Sequence, residues 1–174
     1  MKRLVVAAPL ALAAAFFAVP SAHADDRRCS GTIGAASIDG NVVVPSGRTC
    51  TLVGTRVNDN VLVKANATLV AKGVRVGGNI QAENHDRVVV RHRSVGGRVV
   101  RSRIGGSIQL KQGGGGRLLR NTVNGDIQLF SNDGGFEVRR NRVDGNLQCK
   151  SNNPRPVGGN NVVEGNKEDQ CSRL

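Results

Sequence analysis

The sequence predicts an all-β fold, a single-stranded parallel β-helix (β-solenoid) with 19–20 residues per coil and three short strands per coil. Three observations lead to this fold. A short corner motif, in which Val or Ile stands two residues before Gly or Asp, recurs at near-fixed spacing. Apolar residues alternate after each corner, as in a strand with one buried face. No window has the 3.6-residue spacing of an amphipathic helix, and β-branched residues and glycine are common.

The corner motif divides the chain into rows. The corners are Ile38-Asp39-Gly40, Val57-Asn58-Asp59, Val76-Gly77-Gly78, Val95-Gly96-Gly97, Ile104-Gly105-Gly106, Val123-Asn124-Gly125, Val143-Asp144-Gly145 and Val163-Glu164-Gly165. The full rows are then 41–59, 60–78, 79–97, 107–125, 126–145 and 146–165. A β-sandwich, the second interpretation, does not explain why the same letters recur every 19 residues. Stacked coils do explain it, because each row then pairs with its copy in the next coil.

Three inward columns form the expected core. Each row opens with two inward residues, as in Val42/Val44, Ile108/Leu110 and Ile127/Leu129, and ends with the corner Val or Ile. The middle column comprises Leu52, Ala71, Val90, Val99, Leu118 and Val138. We expect Phe136 in the core as well. Gln81, Gln109, Gln128 and Gln148 form an outward column, and Asn121, Asn141 and Asn161 form a structural amide ladder before the corner.

One stretch does not fit the period. Residues 98–106 repeat the last two strands of a row but lack the first. Either residues 79–106 form one long coil with an excursion, or the register is wrong there. Insertions in solenoids often carry function, and this stretch has the densest charge in the chain, in Arg87, Arg91, Arg93, Arg98, Arg101 and Arg103.

The first 24 residues have the order of a secretory signal peptide. Lys2 and Arg3 precede an apolar stretch, and a small-x-small site ends at Ala24. The stretch is short for a membrane span, although an uncleaved anchor is the alternative. We therefore expect a secreted or cell-wall-associated protein with no transmembrane segment after cleavage. Its parts are an N-terminal cap at 25–40, the solenoid at 41–165 and a C-terminal cap at 166–174.

Four cysteines follow the signal peptide, and an even number in an exported chain suggests disulfides. Cys29 and Cys50 are 21 residues apart, and Cys149 and Cys171 are 22 apart, close to one coil in both cases. We predict these two pairs, each locking one end of the solenoid. A zinc site is the weaker alternative, because there is no Cys-x-x-Cys pair.

The row openings also carry a resemblance. The segments NIQ, SIQL, DIQL and NLQC after a corner, with RNTV, RNRV and GNNVV before it, resemble right-handed parallel β-helix proteins. The stretch from Val143 to Cys171 is similar to small exported proteins of high-GC Gram-positive bacteria with no assigned activity. The resemblance covers roughly residues 38–171 and implies a right-handed solenoid. It implies little about function, since the fold hosts lyases, hydrolases, adhesins and scaffolds.

The sequence shows no evident catalytic constellation. Asp126, Asp144 and Glu164 lie at row starts or corners, where turn chemistry explains them, and we expect no pair of carboxylates on one outward column. His85 and His92 have no evident Ser or Cys partner, and we expect both to be solvated. We therefore predict no catalytic residue, no metal and no cofactor, with a carbohydrate-active enzyme kept as an alternative.

Positive charge is the clearest functional signal. Without Lys2 and Arg3 the chain has 23 basic and 13 acidic residues, a net charge of +10. Arg56, Arg75, Arg103 and Arg142 each precede a corner Val or Ile and should point outward in one column, interrupted by Ser94 and Thr122. Arg101, Arg120 and Arg140, two residues earlier in their rows, would widen it. Arginine suits phosphate and carboxylate, so we predict a non-catalytic exterior module that binds an anionic envelope polymer or surface through these seven arginines.

Two further interpretations stay open at this point. The first is a structural protein that self-associates, and the second is a solvated basic face that serves solubility only and binds no polymer. Nucleic acid is a poorer ligand candidate, because Trp and Tyr are absent and only Phe130 and Phe136 follow the signal peptide. The sequence does not determine the oligomeric state.

Overall fold

The structure, a computed structural model, describes residues 26–174. The predicted signal peptide at 1–24 lies outside the described residues. The described chain is an all-β solenoid of about eight coils, and each complete coil contributes one strand to each of three parallel sheets. This confirms the predicted fold class.

The strands follow one another in a regular order. The first three coils contain β1 (Arg27–Arg28), β2 (Gly31–Ile33), β3 (Ser37–Ile38), β4 (Val42–Val44), β5 (Thr49–Val53), β6 (Arg56–Val57), β7 (Val61–Val63), β8 (Thr68–Lys72) and β9 (Arg75–Val76). The fourth coil contains β10 (Ile80–Glu83), β11 (Arg87–Arg91), β12 (Arg93–Val95), β13 (Arg98–Val100) and β14 (Arg103–Ile104). The remaining strands are β15 (Ile108–Lys111), β16 (Gly115–Leu119), β17 (Thr122–Val123), β18 (Ile127–Phe130), β19 (Phe136–Arg139), β20 (Arg142–Val143), β21 (Leu147–Lys150), β22 (Val157–Gly159), β23 (Val162–Val163) and β24 (Lys167–Asp169).

The three sheets run along the solenoid. Sheet 1 contains β1, β4, β7, β10, β15, β18, β21 and β24; sheet 2 contains β2, β5, β8, β11, β16, β19 and β22; sheet 3 contains β3, β6, β9, β14, β17, β20 and β23. Parallel pairing extends on both sides of residues 41–165, through β1 to β3 at one end and through β24 at the other.

The core lies between the three sheets. Inward residues of successive coils stack as like on like, as in the sheet 1 register of Ile80, Ile108 and Ile127, all fully buried. Phe136 is buried too, as predicted. Each buried aliphatic side chain stabilises the fold by about 1.5–3 kcal/mol, and the column repeats that contribution in every coil.

Residues 79–106 form one long coil with an excursion, the first of the two possibilities left by the sequence. The excursion is an antiparallel β-hairpin of β12 and β13. Its turn, Gly96–Gly97, has positive φ at both residues (54° and 76°), the condition of a type I′ hairpin turn. The predicted corner at Val95 and the place of Val99 in the middle core column are therefore wrong. Both valines are 48% exposed on the hairpin, and Val90 pairs directly with Leu118.

Each end of the solenoid has a disulfide, and both predicted pairs are confirmed. Cys29 is bonded to Cys50 and Cys149 to Cys171, with Cα–Cα distances of 5.5 and 5.2 Å. At the C-terminal end Leu174 packs against the core beside Cys171. These bonds join neighbouring coils at the positions where an open stack would expose unpaired edges.

Amide ladders hold the corners. Asn121 donates through Nδ2 to Oδ1 of Asn141, and Asn141 donates in the same way to Asn161, both at 3.0 Å. All three are buried, which confirms the predicted ladder. A second ladder lies between sheets 1 and 2, in which the buried Asn132 donates to the buried Asn152, and Asn152 donates to the half-buried Gln170. A buried polar group needs such partners because an unsatisfied one costs about 1–3 kcal/mol.

Candidate functional site

Three arginines stack directly on the outer face of sheet 3. The register pairs Arg56 with Arg75 and Arg75 with Arg103, on β6, β9 and β14. All three are exposed, and none has a carboxylate within 4.0 Å among the described residues. Strands in a sheet are about 4.8 Å apart, so three uncompensated positive charges lie at the spacing of adjacent strands. We call Arg56, Arg75 and Arg103 the arginine ladder.

The ladder is less interrupted than the sequence predicted. Ser94 was expected between Arg75 and Arg103, but it lies on the hairpin, paired with Val99. Only the predicted last strand of the third row, at Ser94 and Val95, leaves sheet 3 for the hairpin. Arg103 therefore pairs directly with Arg75 although the two are 28 positions apart. Thr122 does follow Arg103 in the column, as expected, and Arg142 follows Thr122.

A groove of about 440 Å³ runs beside the ladder. Its lining includes the ladder arginines, Thr122 and the exposed corner residues Asn58, Gly77 and Asn124. A Cβ on Gly77 would lie 2.0 Å from the Asn58 carbonyl oxygen. Glycine therefore permits the close stacking of coils at this corner.

Arg142, the fourth predicted member of the column, is compensated. Its guanidinium contacts Glu164 at 2.5 Å and Asp144 at 3.8 Å. Asp144 and Glu164 follow the paired residues Val143 and Val163, so they are neighbours on one outward column. The expectation that no two carboxylates share such a column was therefore wrong. Both carboxylates contact the Arg142 guanidinium, which offsets the repulsion between them. Their negative charges also compensate the positive charge of Arg142.

Arg101, Arg120 and Arg140 lie at the second corner, between sheets 2 and 3. Arg120 and Arg140 have positive φ, 54° and 56°. Arg101, at the base of the hairpin, donates from Nη1 to the Arg140 carbonyl oxygen at 3.0 Å and reaches the Asn121 carbonyl oxygen at 3.4 Å. Arg101 therefore connects the hairpin to two later coils. These three arginines are adjacent to the ladder rather than part of it.

The predicted glutamine column on sheet 1 is present, and its side chains form a hydrogen-bonded ladder that the sequence did not predict. Gln81 donates to Gln109, Gln109 to Gln128, Gln128 to Gln148 and Gln148 to Glu168, at 2.8–3.0 Å. Because the side-chain amides are used between coils, this face has a structural explanation that the ladder on sheet 3 lacks.

One of the two histidines differs from expectation, since His85 is buried whereas His92 is half-buried. His85 is buried, with neither ring nitrogen hydrogen-bonded, and its ring meets the edge of Phe136 at a centroid distance of 6.2 Å. The prediction of a solvated His85 was wrong, because its side chain occupies the inward column that Gly113 and Asn132 share in later coils. Burial lowers the pKa of His85 to about 4. The pKa of His92 is also lowered, by burial and then by Arg120, Arg91 and Arg101.

Sequence reasoning missed the ladder along the row openings. Asn60 Oδ1 accepts a hydrogen bond from the backbone N–H of Asn79. Asn79 Oδ1 accepts one in turn from the backbone N–H of Ser107. The signal was present, since each row begins with Asn, Ser or Asp.

Neither protein-family models, curated proteins nor solved structures gave a match to this chain. The solenoid and its two disulfides are compatible with a structural protein of the cell exterior, because disulfides persist in oxidising compartments. Within residues 26–174 no helix has the length and apolar character needed to cross a membrane.

Proposed function

We propose that this protein is a non-catalytic module of the cell exterior that binds an anionic polymer along the arginine ladder. The stacking of Arg56, Arg75 and Arg103 without carboxylate partners carries the proposal. Like charges on adjacent strands destabilise a sheet. A surface that serves only solubility has both signs interspersed. An uncompensated stack is better explained by a ligand that supplies the missing negative charges.

The guanidinium groups and the groove define the class of ligand. Arginine donates two parallel hydrogen bonds to phosphate or carboxylate. Sheet 3 provides such a donor on each of three consecutive coils, so a linear polymer lying along the solenoid axis would meet them in turn. Phosphate polymers and acidic polysaccharides share this chemistry.

Retention on immobilised polyphosphate, eluted with increasing NaCl, tests the proposal. The variant Arg75→Gln with Arg103→Gln removes two charges from the ladder. Arg28→Gln with Arg48→Gln is the matched control, since both residues are exposed and unpaired but lie away from sheet 3. We expect the ladder variant to elute at lower salt than the control. Equal elution of the two variants would refute the ladder as the binding surface.

The alternative of a self-associating structural protein is tested by light scattering. A mass that rises with protein concentration, unchanged by the ladder variant, would favour assembly over polymer binding.

A further inference from the structure

The exposed large hydrophobic residues of the described chain flank one corner of the solenoid. They are Val95, Val99, Val100, Val157 and Val162, with exposed fractions between 38 and 62%. The first three lie on the hairpin, which leaves the solenoid at the second corner in the fourth coil. Val157 and Val162 lie on β22 and β23, on the two sides of that same corner in the seventh coil. We define the hairpin edge as the β12–β13 hairpin together with the second-corner residues of the later coils, as far as Val157 and Val162.

The hairpin is held against the solenoid at its base. Arg93 lies on the corner glycines of the two preceding coils: a Cβ on Gly73 would be 2.7 Å from the Arg93 Cβ, and one on Gly54 would be 2.8 Å from its Nη1. In the other direction Arg101 donates to the Arg140 carbonyl oxygen. The strands therefore leave from a base that contacts coils on both sides, and the turn at Gly96–Gly97 is exposed.

Valines occur on both faces of this hairpin. The register pairs Ser94 with Val99 on one face, and Val95 with Arg98 and Arg93 with Val100 on the other. An antiparallel sheet that packs on one side commonly has one apolar and one polar face. A hairpin with apolar side chains on both faces is better matched to a medium that surrounds it.

The charge around these valines is positive. Residues 87–125 contain nine arginines and lysines and no Asp or Glu. Arg98 follows the turn, and Arg101, Arg120 and Arg140 continue along the corner; none of these four has a carboxylate within 4.0 Å in the described chain. The surface therefore combines exposed apolar side chains with uncompensated cations.

A depression of about 390 Å³ lies beside Val162 at the same corner. Arg101, Arg140, Arg142, Thr122 and Val162 line it. Guanidinium and hydroxyl donors beside an exposed valine would suit an anionic headgroup whose chain continues into an apolar layer.

We propose that the hairpin edge docks on the surface of an anionic phospholipid bilayer, with the hairpin valines at the acyl boundary and the arginines at the phosphates. Basic residues near an anionic membrane and apolar side chains at its interface act together in such binding. The hairpin leaves the solenoid with its turn exposed, and a fluid interface accepts such an excursion without a matching concavity. This inference is independent of the arginine ladder, because it uses different residues and needs valines that a soluble polyanion does not.

A single tryptophan tests the insertion directly. The chain has no Trp or Tyr, so Val99→Trp gives one fluorophore on the hairpin. Vesicles of phosphatidylcholine with about one-third phosphatidylglycerol supply the anionic surface, and pure phosphatidylcholine vesicles are the control. We expect a blue shift of the emission and co-sedimentation with the anionic vesicles only. An unshifted spectrum with anionic vesicles would overturn the insertion.

A second variant separates this proposal from polymer binding. Replacing Val95, Val99 and Val100 by Asn keeps every charge, and it should reduce the partition onto anionic vesicles about tenfold or more while leaving polyphosphate retention unchanged. Equal partition of this variant and the wild type would contradict the proposal. The proposal is also contradicted if the wild type forms a dimer without vesicles and this variant does not. A second copy of the chain would then cover the hairpin edge. Circular dichroism of the variant confirms that the solenoid is folded.

Discussion

Arg75 and Arg103 are direct strand partners although 28 positions separate them, whereas Arg56 and Arg75 are 19 apart. The extra nine residues are taken up by the hairpin at the second corner. In the neighbouring coils a single residue, Gly73 or Arg120, occupies that corner. The ladder of three free arginines therefore exists because the excursion leaves the stack without disturbing its register.

Replacing residues 92–101 by one glycine tests this register. The replacement removes nine residues and leaves a coil of 19 residues, the length of its neighbour. We expect a folded protein with unchanged β content by circular dichroism and a melting temperature within a few degrees of the wild type. A disordered product would contradict the assignment of the hairpin as an excursion.

The same comparison shows which parts of the fold could be predicted from the sequence. The period, the columns at Ile108 and Ile127 and the two disulfides followed from spacing, because side-chain alternation and coil length are local properties of a repeat. The hairpin did not follow, since Val95-Gly96-Gly97 has the letters of a corner and Gly-Gly suits both a corner and a hairpin turn. The strand pairing distinguishes the two, because β12 pairs antiparallel with β13 while β14 pairs with β9.

The sequence predicted only part of the candidate site, again because the register between coils is not a local property of the repeat. The outward direction of Arg56, Arg75 and Arg103 followed from alternation. Their direct strand pairing depended on the register across the hairpin, and the compensation of Arg142 by Glu164 depended on which coils are neighbours. The burial of His85 depended on a turn whose length varies between coils, so alternation could not place it.

The C-terminal disulfide should stabilise the last coil. It closes a loop of 22 residues. A disulfide that closes a loop of this size contributes about 3 kcal/mol to the free energy of unfolding. We expect Cys149→Ser with Cys171→Ser to lower the urea midpoint and to speed hydrogen exchange in β24 and the residues after it. The control, Cys29→Ser with Cys50→Ser, should leave exchange at that end unchanged. Slow exchange in β24 after loss of the C-terminal bond would show that pairing with β21 suffices.

Interrupting the buried asparagine ladder should lower the stability of the fold. Asn141→Ala removes the acceptor of the Asn121 amides and the donor to the Leu118 carbonyl oxygen. Buried groups left without partners cost about 1–3 kcal/mol each, so we expect a loss of about 2–4 kcal/mol in the free energy of unfolding. Asn124→Ala, at an exposed corner position, is the control and should change that free energy by less than about 0.5 kcal/mol.

His85 should make the fold sensitive to acid. Its pKa is about 4 in the fold because of burial, below the ordinary value of 6.5. As the pH falls from 6.5 towards 4, the unfolded chain binds a proton at this side chain and the folded chain does not, so stability is lost across that range. The loss reaches about 3 kcal/mol. Urea unfolding of wild type and His85→Asn at a series of pH values measures it.

The wild type should lose more stability than His85→Asn between pH 6.5 and 4, whatever their difference at pH 8. Other titrating groups contribute equally to both proteins. Parallel curves of stability against pH for the two proteins would show that His85 is not held neutral by the fold.

The salt dependence of polyphosphate affinity tests the central claim most directly. Each phosphate neutralised by an arginine adds about 0.7–0.9 to the negative slope of log K against log salt concentration. If the arginine ladder is the binding surface, Arg75→Gln with Arg103→Gln should reduce that slope by about 1.4–1.8 relative to wild type, while the control with Arg28→Gln and Arg48→Gln keeps the wild-type slope. Identical slopes for the ladder variant and the wild type would contradict the account.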